Sequence, residues 1–414
     1  MLARLLVAVT FGLAACAPAR AADIDPAAEP LVLGDLELAP EVGPTEPGSV
    51  IVEEGVPTEP PAASALVEDP PTDGVGCTTP GPVTTCIDDG PGWCSFTVVD
   101  ALFMQRTNTV GPLAVAAPSA TDAGSPVIAA GDVRYPVAPG VRVFQGWRGP
   151  DAGGFEVGYL GVWGMHADAM AVSPGGSLAL PGQLGLIAGS GLDSATAIEP
   201  VLHGSLNSVE CNVFATRIHD GCRRHDPLPW RRSWGILEGT TSTADWLLGV
   251  RWAGLDETAM LAVTALAGNP PPVFNTTDYR VTTSSQLIGP QIGHRRRVDW
   301  GDWAVEGWAK AGLMAALRSQ SQGAVVGPFD LVQVRGPTSS SSTGVGMIGD
   351  LNAAVVRRFG DHWGLRAGYT VLWFTGVAPA ANQWDFSDTP TSGTGVNTGT
   401  VFLHGATLGL EATW

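Results

Sequence analysis

Val401 to Trp414 reads "VFLHGATLGLEATW", and every second residue back from Trp414 is apolar as far as His404. Phe402, Ala406, Leu408, Leu410, Ala412 and Trp414 fall on one side, interrupted by His404; Gly405, Thr407, Gly409, Glu411 and Thr413 fall on the other. A period of two belongs to a strand with one apolar and one polar face. The pattern recurs. In "FEVGYLGVWGM", Phe155, Val157, Tyr159, Trp163 and Met165 oppose Glu156, Gly158 and Gly164. Trp246, Leu248, Val250 and Trp252 oppose Asp245, Gly249 and Arg251, while Trp363, Leu365, Ala367, Tyr369, Val371 and Trp373 oppose Gly364, Arg366, Gly368 and Thr370. Tryptophans bracket each apolar face, and glycine or charge fills the other. Soluble sandwiches bury their apolar faces and do not need this bracketing. A membrane barrel does, because lipid lies outside and aromatic residues mark the two interfaces. Trp303 and Trp308 fit less well, since they fall on opposite faces.

The rest of the chain narrows the choice. Residues 1–21 read as an export signal: Arg4, then the apolar stretch Leu5 to Ala15, then small residues. Cleavage before Ala22 and lipidation at Cys16, within "LAAC", both fit. Beyond it there is no apolar run of about 18 residues, so no helix is available to span a membrane and only a closed barrel could do so. Residues 22–92 hold 15 acidic residues and 13 prolines, with no Lys or Arg, and therefore carry most of the net charge of −18. Such a segment has too few large apolar groups to offset its chain entropy and is expected to be a disordered linker. The body, 93–414, has no basic excess that would suggest nucleic acid.

About twelve strands (ten to fourteen) are expected in the body, among them 244–254, 257–267 and 324–335. Most short and long links alternate along the chain; the link 219–243 does not, and a further hairpin around "WRRSWGILEGT" would account for it. With both termini periplasmic, this is the up-and-down topology of outer-membrane barrels. The expected fold is therefore all-β, an antiparallel up-and-down transmembrane β-barrel.

The body also resembles the planctomycete-type beta-barrel porin family. The resemblance runs through "GWCSFTVVDALFMQR", "FEVGYLGVWG", "LLGVRWAGLDE", "DYRVTTSSQLIGPQIG", "WAVEGWAKAGL" and "LNAAVVRRFGDHWGLRAGYTVLWFTGVAPAANQWD", about three quarters of the chain. It implies an exported outer-membrane barrel and supplies no catalytic residues. The acidic leader and the paired cysteines depart from the family.

Lumen-lining candidates follow from parity: Glu156, Asp245, Arg251, Glu306, Lys310, Asp350, Asn352, Arg358, Arg366 and Glu411. They would set ion preference in an open pore or form an ion-paired plug. Glu306 and Lys310, four apart on one face, are expected to pair across to neighbouring strands. Phe402, Leu408, Leu410 and Trp414 resemble the terminal signature read by the barrel-assembly machinery. Cys211 and Cys222 are disulfide candidates in an exported chain. "RIHDGCRRHD" (His219, Cys222, His225) has zinc-like spacing, but its arginines and the competing disulfide argue against a metal. Arg295, Arg296 and Arg297 are placed on an external loop, paired with Asp299 and Asp302 or facing lipid phosphate. No nucleophile elbow or phosphate-binding glycine loop is present, so neither an enzyme nor a cofactor is expected. The expected function is porin-like diffusion of small hydrophilic solutes, in contact with outer-membrane lipid and compatible with a homo-oligomer. The alternative is a plugged structural or interaction barrel that anchors envelope partners through its loops or leader.

Overall fold

The computed structural model describes residues 93–414 apart from 109–110, 120, 122–125, 221–240, 268–272, 330–332 and 390. The expected signal, the acidic leader and the "GCRRHD" stretch lie outside the described residues. One antiparallel sheet dominates. Ten of its strands form a closed ring: β1 (Cys94–Thr107), β2 (Val137–Arg148), β3 (Gly153–Asp168), β4 (Ala195–Asp220), β5 (Thr241–Ala267), β6 (Val273–Trp300), β7 (Trp303–Gln322), β8 (Thr338–Phe359), β9 (Trp363–Val377) and β10 (Gly399–Thr413). Each pairs with its sequence neighbour, and β1 pairs with β10 from Phe96↔Thr413 to Thr107↔Phe402 to close the barrel. The two-residue strand Ala171–Val172 adds an eleventh member at the edge of β4.

The ring count falls at the lower end of the expected range for two reasons. The segments expected as separate strands at 244–254 and 257–267 are one strand, running unbroken through Leu255-Asp256-Glu257. Among its described residues, the segment 324–335 supplies the small loop pair Val325–Val326 and Gln333–Arg335 and no strand of the ring. Tight links at 149–152, 301–302 and 360–362 lie at the same end as residues 93 and 414. Gly301 and Gly360 turn there at φ of 53° and 67°, a region open to glycine at little cost. The longer links 108–136, 169–194 and 378–398 lie at the other end.

Parity places the faces. Trp246, Leu248, Val250, Leu365, Tyr369, Leu408, Leu410 and Trp414 point outward and are exposed, and Phe402 is half-buried on the same face. Trp363 and Trp373, ten residues apart on β9, bracket a band of about 25 Å once a strand tilt near 40° is allowed for. β5 and β6 are 27 and 28 residues long, well beyond the 9–11 needed to cross a bilayer, so one wall rises far above the band. Met165 corrects the alternation read on β3. The register shifts between Val162 and Met165, Gly164 sits at φ 65°, and Met165 turns inward to 1% exposure.

The upper interior is not the small, polar lining expected of a pore. Leu102, Leu206, Leu287, Met314, Ile348 and Phe374, each at most 3% exposed, meet Val115, Val133, Leu180, Leu184, Trp384 and Phe386 from the long links in one apolar cluster. Arg106 and Glu257 form an ion pair at 2.5 Å within it, and Glu257 also accepts the Ala380 backbone N–H at 2.8 Å. That carboxylate ties the 378–398 link to the barrel wall.

Candidate functional site

Below the apolar layer the interior is ionic. Among the described residues, inward parity on neighbouring strands brings eight cationic and eight carboxylate side chains together in two balanced groups of four and four. In the first, Arg366 reaches Glu411 at 2.9 Å, Glu306 at 3.1 Å and Asp100 at 3.5 Å. Arg142 holds Asp100 at 2.5 Å, Arg297 reaches Glu411 at 2.7 Å and Asp299 at 3.0 Å, and Arg358 meets Asp299 at 3.1 Å. In the second, Arg295 reaches Glu156 at 2.6 Å and Asp245 at 2.7 Å, and Arg148 also meets Asp245, at 3.4 Å. Lys310 meets Glu210 at 2.5 Å and Glu156 at 3.5 Å, while Arg251 meets Asp350 at 3.1 Å.

Trp308 joins the two groups. Its Nε1–H donates to Asp350 at 3.0 Å, and the Arg142 guanidinium lies 4.6 Å from its ring centre. This explains why Trp303 and Trp308 fall on opposite faces: Trp303 faces outward at 42% exposure, and Trp308 is an interior residue at 6%. Neutral groups saturate the carboxylates further. Thr216 donates to Asp245 at 2.6 Å, Asn212 to Glu156 at 3.1 Å and Gln291 to Glu210 at 2.7 Å. Glycines make room for the aromatic residues of this layer. An added Cβ on Gly146 would lie 2.1 Å from the Phe96 ring, and one on Gly158 would lie 2.3 Å from Phe144.

All ten residues read from parity as lumen-facing point inward. Nine belong to the ion-paired groups, and Asn352 donates to Thr370 Oγ1 at 2.7 Å. Glu306 and Lys310 do not pair with each other, and their partners are not confined to neighbouring strands. Glu306 meets Arg297 on adjacent β6 but also Arg366 on β9, and Lys310 meets Glu210 and Glu156 across the interior.

The arginine run departs from its expected external loop. Arg295, Arg296 and Arg297 lie within β6 near the tight-turn end; the outer two point into the ionic layer, and Arg296 points outward. Asp299 pairs with Arg297 as expected. Asp100, Arg142, Arg148 and Glu210 join the layer beyond the residues expected from sequence, and each obeys the same inward parity. On β4, Cys211 faces outward opposite Val157 and Val250; its candidate partner Cys222 lies outside the described residues. His404 faces outward too, with its Nδ1 2.6 Å from the Tyr369 hydroxyl.

Hollows are present among the described residues at both levels of the barrel. One of about 130 Å³ sits in the ionic layer among Arg148, Asp245, Arg297, Glu306 and Arg366. Another, of about 580 Å³, sits among Leu113, Gln183, Gln322, Trp384 and Phe386 at the long-link end. They share no lining residue.

No family model matches the chain, and no curated protein matches it. Among solved structures, it is similar to the outer membrane protease OmpT from Escherichia coli, at 8% identity and a TM-score of 0.39, covering 78% of this chain and 97% of that one. A Pseudomonas aeruginosa FadL homologue is similar at 10% identity and a TM-score of 0.21, covering 80% and 93%. The Ralstonia pickettii toluene transporter TbuX follows at 9% and 0.23, covering 78% and 89%.

Proposed function

We propose that this chain is an outer-membrane barrel with a closed lumen, acting as an anchor or interaction platform whose long links face outward from the cell. The carrying observation is the two-layer filling of the interior. An apolar layer continuous with the long links lies over a charge-balanced layer in which cations and carboxylates answer one another. Water-filled pores leave many lining charges hydrated; here Arg142, Arg366, Glu156 and Asp245 are each at most 3% exposed. Porin-like diffusion of small hydrophilic solutes, the sequence expectation, is less well supported, because it requires both layers to move aside. In the same reading, the barrel-assembly machinery recognises the outward residues Phe402, Leu408, Leu410 and Trp414 of the last strand.

Planar-bilayer recording from barrel with verified heat-modifiable gel mobility tests the proposal. Silent bilayers at high protein load are expected. Steady unitary currents from the unmodified chain would replace the anchor reading with the channel reading.

A further inference from the structure

Arg296 stands apart from its two neighbours. Arg295 and Arg297 are consumed by the ionic layer, whereas Arg296 points to the outside of the wall and is exposed. Its Nε–H donates to Ser242 Oγ at 3.2 Å, which draws the guanidinium across β5. On the far side of β5 the register places another outward, exposed arginine: Arg217 of β4 pairs with Ala244, which pairs in turn with Arg296. The two backbones are therefore about 10 Å apart, two strand spacings. In the register Ala244 stands between them, and its side chain is a single methyl group.

Above Ala244 the next outward residue on β5 is Trp246, 54% exposed, whose ring meets His294 edge-on at 5.0 Å. Trp300, Trp303 and Trp363 are exposed near the same end of the barrel, so the pair lies in an aromatic belt. A third outward arginine there, Arg357, is already engaged 5.4 Å over the Trp303 ring. Neither Arg217 nor Arg296 has a carboxylate partner among the described residues. The exposed outward carboxylates of β5 and β6, Asp256 and Asp278, lie more than ten residues further up their strands. Two like charges facing one apolar wall are unfavourable unless an anion sits between them.

We propose that Arg217 and Arg296 form a cradle for the phosphate of an anionic phospholipid headgroup. The lipid belongs to the leaflet nearest the tight turns, with Trp246 packing on its glycerol region and its acyl chains lying along Leu248 and Ile292. Guanidinium forks suit phosphate oxygens, and an apolar floor beside them favours a lipid over a free anion.

The test is native mass spectrometry of the full chain, released from nanodiscs made of equal parts phosphatidylglycerol and phosphatidylcholine. Wild-type barrel is expected to retain one phosphatidylglycerol in preference to phosphatidylcholine, undisturbed by excess inorganic phosphate. Arg217→Gln with Arg296→Gln should lower that retention by about tenfold or more, while Arg357→Gln leaves it unchanged. Displacement by inorganic phosphate would show a free-anion site and overturn the lipid assignment. Equal retention of the two lipids by wild-type protein, which depends on no variant folding, would overturn the proposal outright. So would unchanged retention in the double variant. None of these outcomes depends on whether the lumen is open, which bilayer recording decides separately.

Discussion

Replacing Arg366 with methionine separates a sealed ionic layer from a wet pore. The guanidinium is 1% exposed and faces three carboxylates, at 2.9, 3.1 and 3.5 Å. Its removal leaves Asp100 with Arg142 alone and Glu306 and Glu411 sharing Arg297. The layer then holds one negative charge too many, away from solvent. Breaking a buried pair from one side costs about 3–5 kcal/mol, because the surviving charge is left uncompensated. The same pair bathed in pore water would be worth about 0–1 kcal/mol. The two pictures therefore differ by roughly a hundredfold in the folding equilibrium. Reversible urea unfolding in lipid vesicles, followed by tryptophan fluorescence and gel mobility, measures the difference. Adding Glu306→Gln to Arg366→Met restores charge balance and should recover part of the loss, a non-additivity expected of coupled neighbours. A loss below about 1 kcal/mol for Arg366→Met, with no coupling to Glu306, would refute the sealed layer.

Gly146→Ala should destabilise the barrel by about 1–3 kcal/mol, since its Cβ would meet the Phe96 ring; Gly111→Ala, with nothing within 4 Å, serves as the control in the same urea titration. The 378–398 link should loosen in acid. Burial pushes the Asp385 carboxyl up, but hydrogen bonds from Ser387 and Gly393 and the charge of Arg335 more than offset this and hold it below the ordinary value. Its contribution is therefore complete above the ordinary carboxylate pKa of about 4 and fades as pH falls through the lower, folded value. Cleavage within 378–398 by an acid-active protease should be slow at pH 5 and fast at pH 2.5, both conditions set around that pKa of about 4; equal rates would count against the assignment. Trp414→Ala should cost little in vitro, because the Ser95–Trp414 bonds involve backbone and the ring is 60% exposed. In cells, by contrast, the yield of barrel in the outer-membrane fraction should fall, and an unchanged yield would remove the assembly role assigned to that residue.

Parity made the fold readable before any contact was known. Alternation is local: Glu411 opposes Leu410 and Trp414 whatever the neighbouring strand does, so each strand reports its own two faces. The same rule exposed Glu156, Asp245 and Arg366 as inward. It failed where local signals conflict with the period. Three consecutive arginines at 295–297 look like a loop because their parity is masked, although two face in and one faces out. Gly164 breaks the phase on β3 and sends Met165 inside. Trp308 looks like a misplaced belt residue until closure of the ring brings Arg142 over it. Pairing across the lumen, as between Lys310 and Glu210, is set by ring closure and strand stagger, which no single strand encodes. The apolar upper layer was unreadable for a related reason. Leu287 and Phe374 have the composition of lipid-facing residues, and only the incoming links give them an interior partner.

The balance of the lower layer bears on what such a barrel can do. A diffusion channel uses an excess of one sign to favour its ions, and unpaired charges remain hydrated and available to the passing solute. Here each group contains as many cations as carboxylates, and Arg366 alone answers three of the latter. An interior of this kind offers little preference to either ion and replaces solvation with internal pairing. It also stiffens the wall, because contacts such as Lys310–Glu210 and Arg366–Glu306 join strands that are not neighbours in the sheet. Ten strands enclose a narrow lumen, and side chains of arginine and tryptophan size can fill it. The stiff, filled lower half holds β4 to β8 upright where they leave the membrane band. On the anchor reading proposed above, that tall wall and the links packed against it are the surfaces available for contact, and a charge-balanced exchange in the lumen should leave them unchanged.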